Sequence, residues 1–128
     1  MMKYYFILLF NSFTVNAFSQ NNSPMELAQH LHYAYDLDGH KDRYLFDKAE
    51  KVYREVLSSD SLNIDAMYGL WALYYNESVY ISNDFKDSKL PGDKKELKKA
   101  SEKVDYYFSM AEPLLEKYKR LKAAKEKK

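Results

Sequence analysis

The stretch FDKAEKVYREV, residues 46–56, carries Phe46, Ala49, Tyr53 and Val56 at successive spacings of three, four and three. These spacings place all four side chains on one face of an α-helix. Ala49 is small among large neighbours, as a residue must be where a second helix approaches closely. The stretch therefore predicts one helix of a packed helical hairpin, with close contact at Ala49.

Local signals predict where the flanking helices begin and end. Ser23, Pro24 and Glu26 form a capping box with proline at the first helical position. Gly39 can adopt the left-handed conformation that ends a helix, and Asp42 can begin the next one. We therefore expect a first helix before Gly39 and a second helix after Asp42.

The third helix is predicted to begin at Asn63, after the polar segment 58–61 ends the second. Residues 66–75 are apolar or aromatic all round, apart from one glycine, so this helix is expected to be buried on most sides. Residues 82–92 are polar and charged and end in Leu-Pro-Gly, which predicts a loop.

The fourth helix is predicted from a second capping box, Asp93 with Glu96. Its apolar stripe contains Pro113, and proline removes a helix hydrogen bond, so we expect a break near residues 111–112 and a short last helix. Almost no segment alternates like a strand. The predicted fold is all-α: antiparallel helical hairpins, about four helices, plus a C-terminal helical extension.

The stripe in residues 46–56 resembles the second helix of a tetratricopeptide repeat, whose aromatic, alanine, aromatic and small positions share this spacing. A second copy is similar in Leu97, Ala100, Val104 and Tyr107. In the third helix the pattern departs from the family, since other residues occupy its tryptophan and glycine positions. An unrelated four-helix bundle is the alternative.

This resemblance implies a protein- or peptide-binding scaffold, because the family binds partners in a groove lined by the first helix of each repeat. Here those are the first and third predicted helices. Two repeats are fewer than the three usually needed, so a capping last helix or pairing with a second copy is also expected. The residues implied to face a partner are His30, Tyr33, Tyr68, Trp71 and Tyr75.

The aromatic residues of the third helix have a second interpretation. Tyr68, Trp71 and Tyr75 form one face, while Met67 and Tyr74 belong to another. Both faces could be core between neighbouring helices, or one could line the groove. Tyrosine and tryptophan suit a groove because they combine large contact area with a polar tip.

Residues 1–19 are predicted to be a secretory signal peptide, and residues 20–128 a single tetratricopeptide-like domain with a basic tail. Lys3 precedes an apolar run at 4–10, and small residues precede the expected cleavage near Ser19. An uncleaved anchor and a buried amino-terminal helix are the alternatives. The Asn-Ala-Phe-Ser-Gln end of the signal and the lysine-, asparagine- and tyrosine-rich composition of the remaining chain resemble periplasmic proteins of Gram-negative bacteria. The expected location is therefore the periplasm or cell envelope of such a bacterium.

The net charge does not favour binding to nucleic acid, since the chain has 20 lysines and arginines against 19 acidic residues. The basic residues cluster from Lys117 onward, however. This tail is either a solvated helix end or a contact for anionic lipid or polymer. Membrane contact is therefore expected, if at all, through residues 1–19 or the tail. An envelope-associated structural protein is the alternative function.

Catalytic chemistry has little support in the sequence. The chain contains no cysteine, no phosphate-binding glycine loop and no nucleophile elbow. His30 and His32 are two residues apart and cannot share a metal on a helix, and all three histidines, including His40, are expected at the surface. We expect no enzyme activity, no cofactor and no metal.

Overall fold

The computed structural model describes residues 23–87 and 94–127, without the side chains of 85–87. These parts are all-α and contain no strand, which confirms the predicted fold class. The predicted signal peptide at 1–19 lies outside them. No helix in the described segments is long and apolar enough to cross a membrane. The helices are α1 (Pro24–Leu37), α2 (Arg43–Ser59), α3 (Ile64–Asp87) and α4 (Lys94–Glu126).

Three of the predicted helix starts are confirmed by side-chain caps. Ser23 Oγ accepts a hydrogen bond from the Glu26 amide at 3.3 Å. Asp42 caps α2, and Asn63 Oδ1 accepts a bond from the Ala66 amide at 3.0 Å. Each cap satisfies an amide that has no partner within its helix. The box predicted at Asp93 lies outside the described residues.

The helices pack in chain order as antiparallel neighbours. His32 contacts Tyr53, while Tyr35, further along α1, contacts Phe46 near the start of α2. α3 packs on α2 and α4, and it also approaches α1. α3 is therefore central, as the sequence predicted.

The core lies between these helices and is largely aromatic. Ala49 is fully buried, which confirms its predicted close contact. Gly69 allows a second close approach: a Cβ there would lie 2.4 Å from Tyr53 Cε1. The buried apolar residues are Ala28, Leu31, Tyr35, Phe46, Ala49, Val52, Tyr53, Ala66, Met67, Leu70, Leu73, Tyr74, Tyr107 and Ala111.

Two predicted breaks are wrong. α3 continues to Asp87 through half of the predicted loop, because that segment is polar but lacks proline or glycine before residue 91. α4 also continues through Pro113, so the C-terminal extension is part of one helix. Pro113 is exposed, so water can satisfy the carbonyl that loses its amide, while Leu114 still packs on the core.

Candidate partner-binding surface

An open depression of about 300 Å³ lies between α1 and α3, with the buried Tyr53 of α2 at its base. Its walls come from two stripes with the same spacing, one on each helix. Each stripe follows the i, i+3, i+4, i+7 pattern of a single helix face. The lining residues are Gln29, His32, Tyr33 and Asp36 of α1, Tyr53 of α2, and Asp65, Tyr68, Gly69 and Ala72 of α3.

Two of the five residues predicted to face a partner line this depression. The side chains of Tyr33 and Tyr68 are 62% and 50% exposed, so they present aromatic surface to solvent. His30 lies on α1 outside the lining and is half-buried. Trp71 and Tyr75 also lie outside it. Partner binding by all five residues stays a prediction.

Trp71 and Tyr75 belong to a row of aromatic rings where α3 meets α4. The Trp71 ring stacks on Tyr75, with centroids 5.2 Å apart, and lies 5.4 Å from the Tyr68 ring. Tyr68 also contacts Tyr118, and Tyr75 contacts Phe108, both on α4. Trp71 is partly buried against the core. The row therefore joins the depression to the α3–α4 hairpin.

His32 and His40 are not the surface residues that the sequence predicted, since their side chains are only 12% and 11% exposed. The reason is that aromatic residues cover both rings. His32 Nδ1 lies 3.0 Å from the Tyr53 hydroxyl. Burial lowers the pKa of His32, an effect that nearby Asp36 partly opposes. His32 is therefore a neutral ring at neutral pH, set in the wall of the depression.

Asp36 lies between the two histidines. Its Oδ1 is 3.0 Å from His40 Nε2, a hydrogen bond, while its Oδ2 is 3.6 Å from His32 Nε2. The second distance exceeds hydrogen-bonding range, so the buried His32 Nε2 has no hydrogen-bond partner among the described residues. Asp36 Oδ2 can therefore still accept a hydrogen bond. The Asp36 side chain is 42% exposed.

A buried carboxylate, Glu77, joins the helices behind the depression. Its Oε2 accepts a hydrogen bond from the Tyr35 hydroxyl at 2.7 Å and lies 2.9 Å from His40 Nδ1. Arg43 approaches Oε1 at 3.4 Å and also donates to the Tyr107 hydroxyl of α4. Burial and the bond to Glu77 raise the pKa of Tyr35. The phenol therefore stays protonated and donates.

A second polar cluster links α2 to α3 near the surface. The Tyr74 hydroxyl donates to Glu50 Oε2 at 2.6 Å and accepts from Arg54 Nη2 at 2.7 Å. Burial, followed by the bond to Glu50, raises the pKa of Tyr74. The cluster satisfies the polar end of a buried aromatic residue and needs no chemical role.

Among residues 23–87 and 94–127, no three histidine or carboxylate side chains are placed to hold a metal ion. Sequence reasoning missed His32, Asp36 and Asp65 as lining residues. Their signal was present, since residues 29, 32, 33 and 36 repeat the spacing of 65, 68, 69 and 72.

Comparisons with protein-family models, curated proteins and solved structures find no match to this chain.

Proposed function

We propose that this protein is an exported scaffold that binds a peptide or a protein segment, without enzymatic activity. The observation that carries the proposal is the open depression between α1 and α3, with Tyr33 and Tyr68 exposed at its edge. Half-exposed tyrosines are good binding anchors because they offer large, rigid area and a hydroxyl that can find a partner.

The position of the depression supports the proposal of a binding groove, which the resemblance to tetratricopeptide repeats also implies. The resemblance implies a groove lined by the first and third helices, and the depression lies between α1 and α3. A bound segment that extends beyond Tyr68 would next meet the aromatic row that contains Trp71 and Tyr75. His30 lies one turn away from Tyr33 on α1. We therefore propose that a segment held by Tyr33 and Tyr68 extends toward His30 at one side and toward Trp71 and Tyr75 at the other.

Export rests on the apolar amino terminus, for which we propose cleavage near Ser19 and delivery to the periplasm or cell envelope of a Gram-negative bacterium. A second candidate is a structural protein attached to the envelope. The exposed basic residues at the end of α4 favour it, because such clusters attract anionic surfaces. They are Lys119, Arg120, Lys122 and Lys125, followed by Lys127 just beyond the helix.

The proposal is tested by selecting from a random dodecapeptide library on the immobilised exported protein. We expect enriched peptides whose affinity falls about tenfold or more in a Tyr33→Ala/Tyr68→Ala variant, the loss typical of anchor residues. Tyr44→Ala is the matched control, because Tyr44 is 64% exposed but lies on α2 outside the depression. Failure to enrich any peptide, or equal losses in both variants, would reject the proposal.

A further inference from the structure

We propose that the depression between α1 and α3 receives a positively charged side chain, lysine or arginine, from the bound segment. This inference rests on the proposed function and specifies its ligand chemistry. It is drawn from the charge, the aromatic surface and the size of the depression. Together these three properties fit a long cationic side chain better than an apolar or acidic one.

The charge of the lining is negative. Asp36 contributes a carboxylate from α1 and Asp65 contributes one from α3, and the described residues that line the depression include no lysine or arginine. Asp36 Oδ2 has no hydrogen bond, and Asp65 has no hydrogen-bonding or ion-pairing partner among the described residues. Two carboxylates with unused acceptor capacity attract a cation and repel an acidic side chain.

The histidine in the wall does not cancel this charge. Because burial lowers the pKa of His32, its ring is neutral at neutral pH. Asp36 is bonded to His40 through Oδ1, and a neutral His32 ring leaves its Oδ2 available to a ligand. The groups that face His32 are Asp36, His40 and Tyr53, and Asp65 lies across the depression.

The aromatic surface suits the same ligand. The Tyr33 and Tyr68 rings are exposed at the edge of the depression, and an ammonium or guanidinium group is attracted to the face of such a ring. The protein already makes this contact elsewhere: Lys48 Nζ lies 5.7 Å from the centroid of the Tyr44 ring. A cation between the two walls would meet both carboxylate and ring.

The size of the depression limits what can enter. About 300 Å³ is the lower end of ordinary ligand pockets, enough for one long side chain and a little backbone. Gly69 and Ala72 leave an apolar strip along α3 for the methylene stem, while the charged head stays near the carboxylates. A lysine or arginine side chain combines these two requirements.

The test uses blocked pentapeptides Ala-Ala-Xaa-Ala-Ala, in which Xaa is lysine, arginine, norleucine or glutamate, titrated into the ¹⁵N-labelled exported protein and followed by NMR. We expect lysine and arginine peptides to bind about tenfold more tightly than norleucine, with glutamate weakest. Shifted amides should map to residues 29–36 and 65–72. A peptide of residues 117–128 is included, since its tight binding would support the proposal with a second copy as the partner.

Variants identify the groups responsible. Asp65→Asn and Asp36→Asn should each reduce the preference for lysine over norleucine several-fold, because each removes one of the two carboxylates of the lining. Asp65 has no partner to lose in the part of the chain that the structure describes, so its variant remains informative if Asp36→Asn weakens the fold through His40. Asp105→Asn is the matched control, because Asp105 is exposed on α4 outside the depression and its loss should change nothing.

The outcomes separate this inference from the proposed function. If library-selected peptides bind the depression but show no lysine or arginine, or if norleucine binds as tightly as lysine, the ligand inference is overturned and the binding function stands. If neither the library nor any pentapeptide binds, both fail. A lysine preference that survives both aspartate substitutions would place the cation elsewhere and also overturn the inference.

Discussion

At the scale of single residues, His32 connects the fold to the candidate site. Its ring is buried against Tyr53, and burial lowers its pKa below the ordinary value of about 6.5. The folded protein therefore keeps the ring neutral over a pH range in which the unfolded chain protonates it. The stability that His32 contributes is complete above about pH 6.5 and is lost as the pH falls through its folded-state pKa.

The lowered pKa of His32 predicts that the protein loses stability as the pH falls. The free energy of unfolding, measured in urea, should fall between about pH 7 and pH 5, and His32→Gln should flatten that fall. His30→Gln removes a histidine from the same helix but outside the depression, and is the matched control. Equal pH slopes in His32→Gln and in the unsubstituted protein would show that other groups carry the effect.

At the scale of helices, the sequence predicts starts better than ends. The caps at Ser23, Asp42 and Asn63 are local, because one side chain satisfies an amide within three residues. α3 continues past residue 82 because that segment is polar but has no proline or glycine before residue 91. α4 continues through Pro113 because Leu114 still packs on the core, and a sequence pattern could not supply that packing.

Some residues of the candidate site could be predicted from the sequence and others could not. Tyr33 and Tyr68 could be predicted, because aromatic residues on the first and third helices suggested a groove. His32 and Asp65 were missed because polar residues recur at helical spacing on any solvated face. Only the position of α2, fixed by the contact between Tyr53 and Gly69, decides that these residues border one depression.

The aromatic face of α3 could belong to the core or to a binding surface, and substitution of Trp71 distinguishes the two. Trp71 is partly buried and stacks on Tyr75, whereas Tyr68 is half exposed. We expect Trp71→Ala to cost about 2–4 kcal/mol of unfolding free energy, because it leaves a cavity beside the core. Tyr68→Ala should cost about 1 kcal/mol, since its ring already contacts solvent.

Thermal melts followed by far-ultraviolet circular dichroism compare the two variants without knowledge of the partner. A Trp71→Ala loss no larger than that of Tyr68→Ala would make Trp71 a surface residue, available to bind. The larger loss would instead assign Trp71 mainly to folding and leave Tyr33 and Tyr68 as the principal anchors.

At the scale of the whole molecule, Glu77 holds the helices together. The Tyr35 hydroxyl and the His40 ring reach its carboxylate from α1 and the turn that follows, and Arg43 reaches it from α2 while also bonding Tyr107 of α4. A buried carboxylate costs desolvation, which these bonds offset. Removing it leaves His40 Nδ1 without its partner and leaves the Tyr35 hydroxyl only its longer bond to the His40 carbonyl, at 3.3 Å. A buried polar group that loses its partner costs more than the net contribution of the bond itself.

Glu77→Ala should therefore lower the unfolding free energy by about 3 kcal/mol or more, while Glu77→Gln, which keeps the shape, should lose less. Arg43 is half exposed, so solvent screens its share, and the main cost falls on Tyr35 and His40. Glu50→Ala is the control, because Glu50 is a more exposed partner of Tyr74 and its loss should cost about 1 kcal/mol.

Urea unfolding should be followed by circular dichroism and by the fluorescence of Trp71, the single tryptophan. The two signals should coincide if α1–α2 and α3–α4 unfold together. A Glu77→Ala loss no greater than that of Glu50→Ala would show that apolar packing alone joins the hairpins.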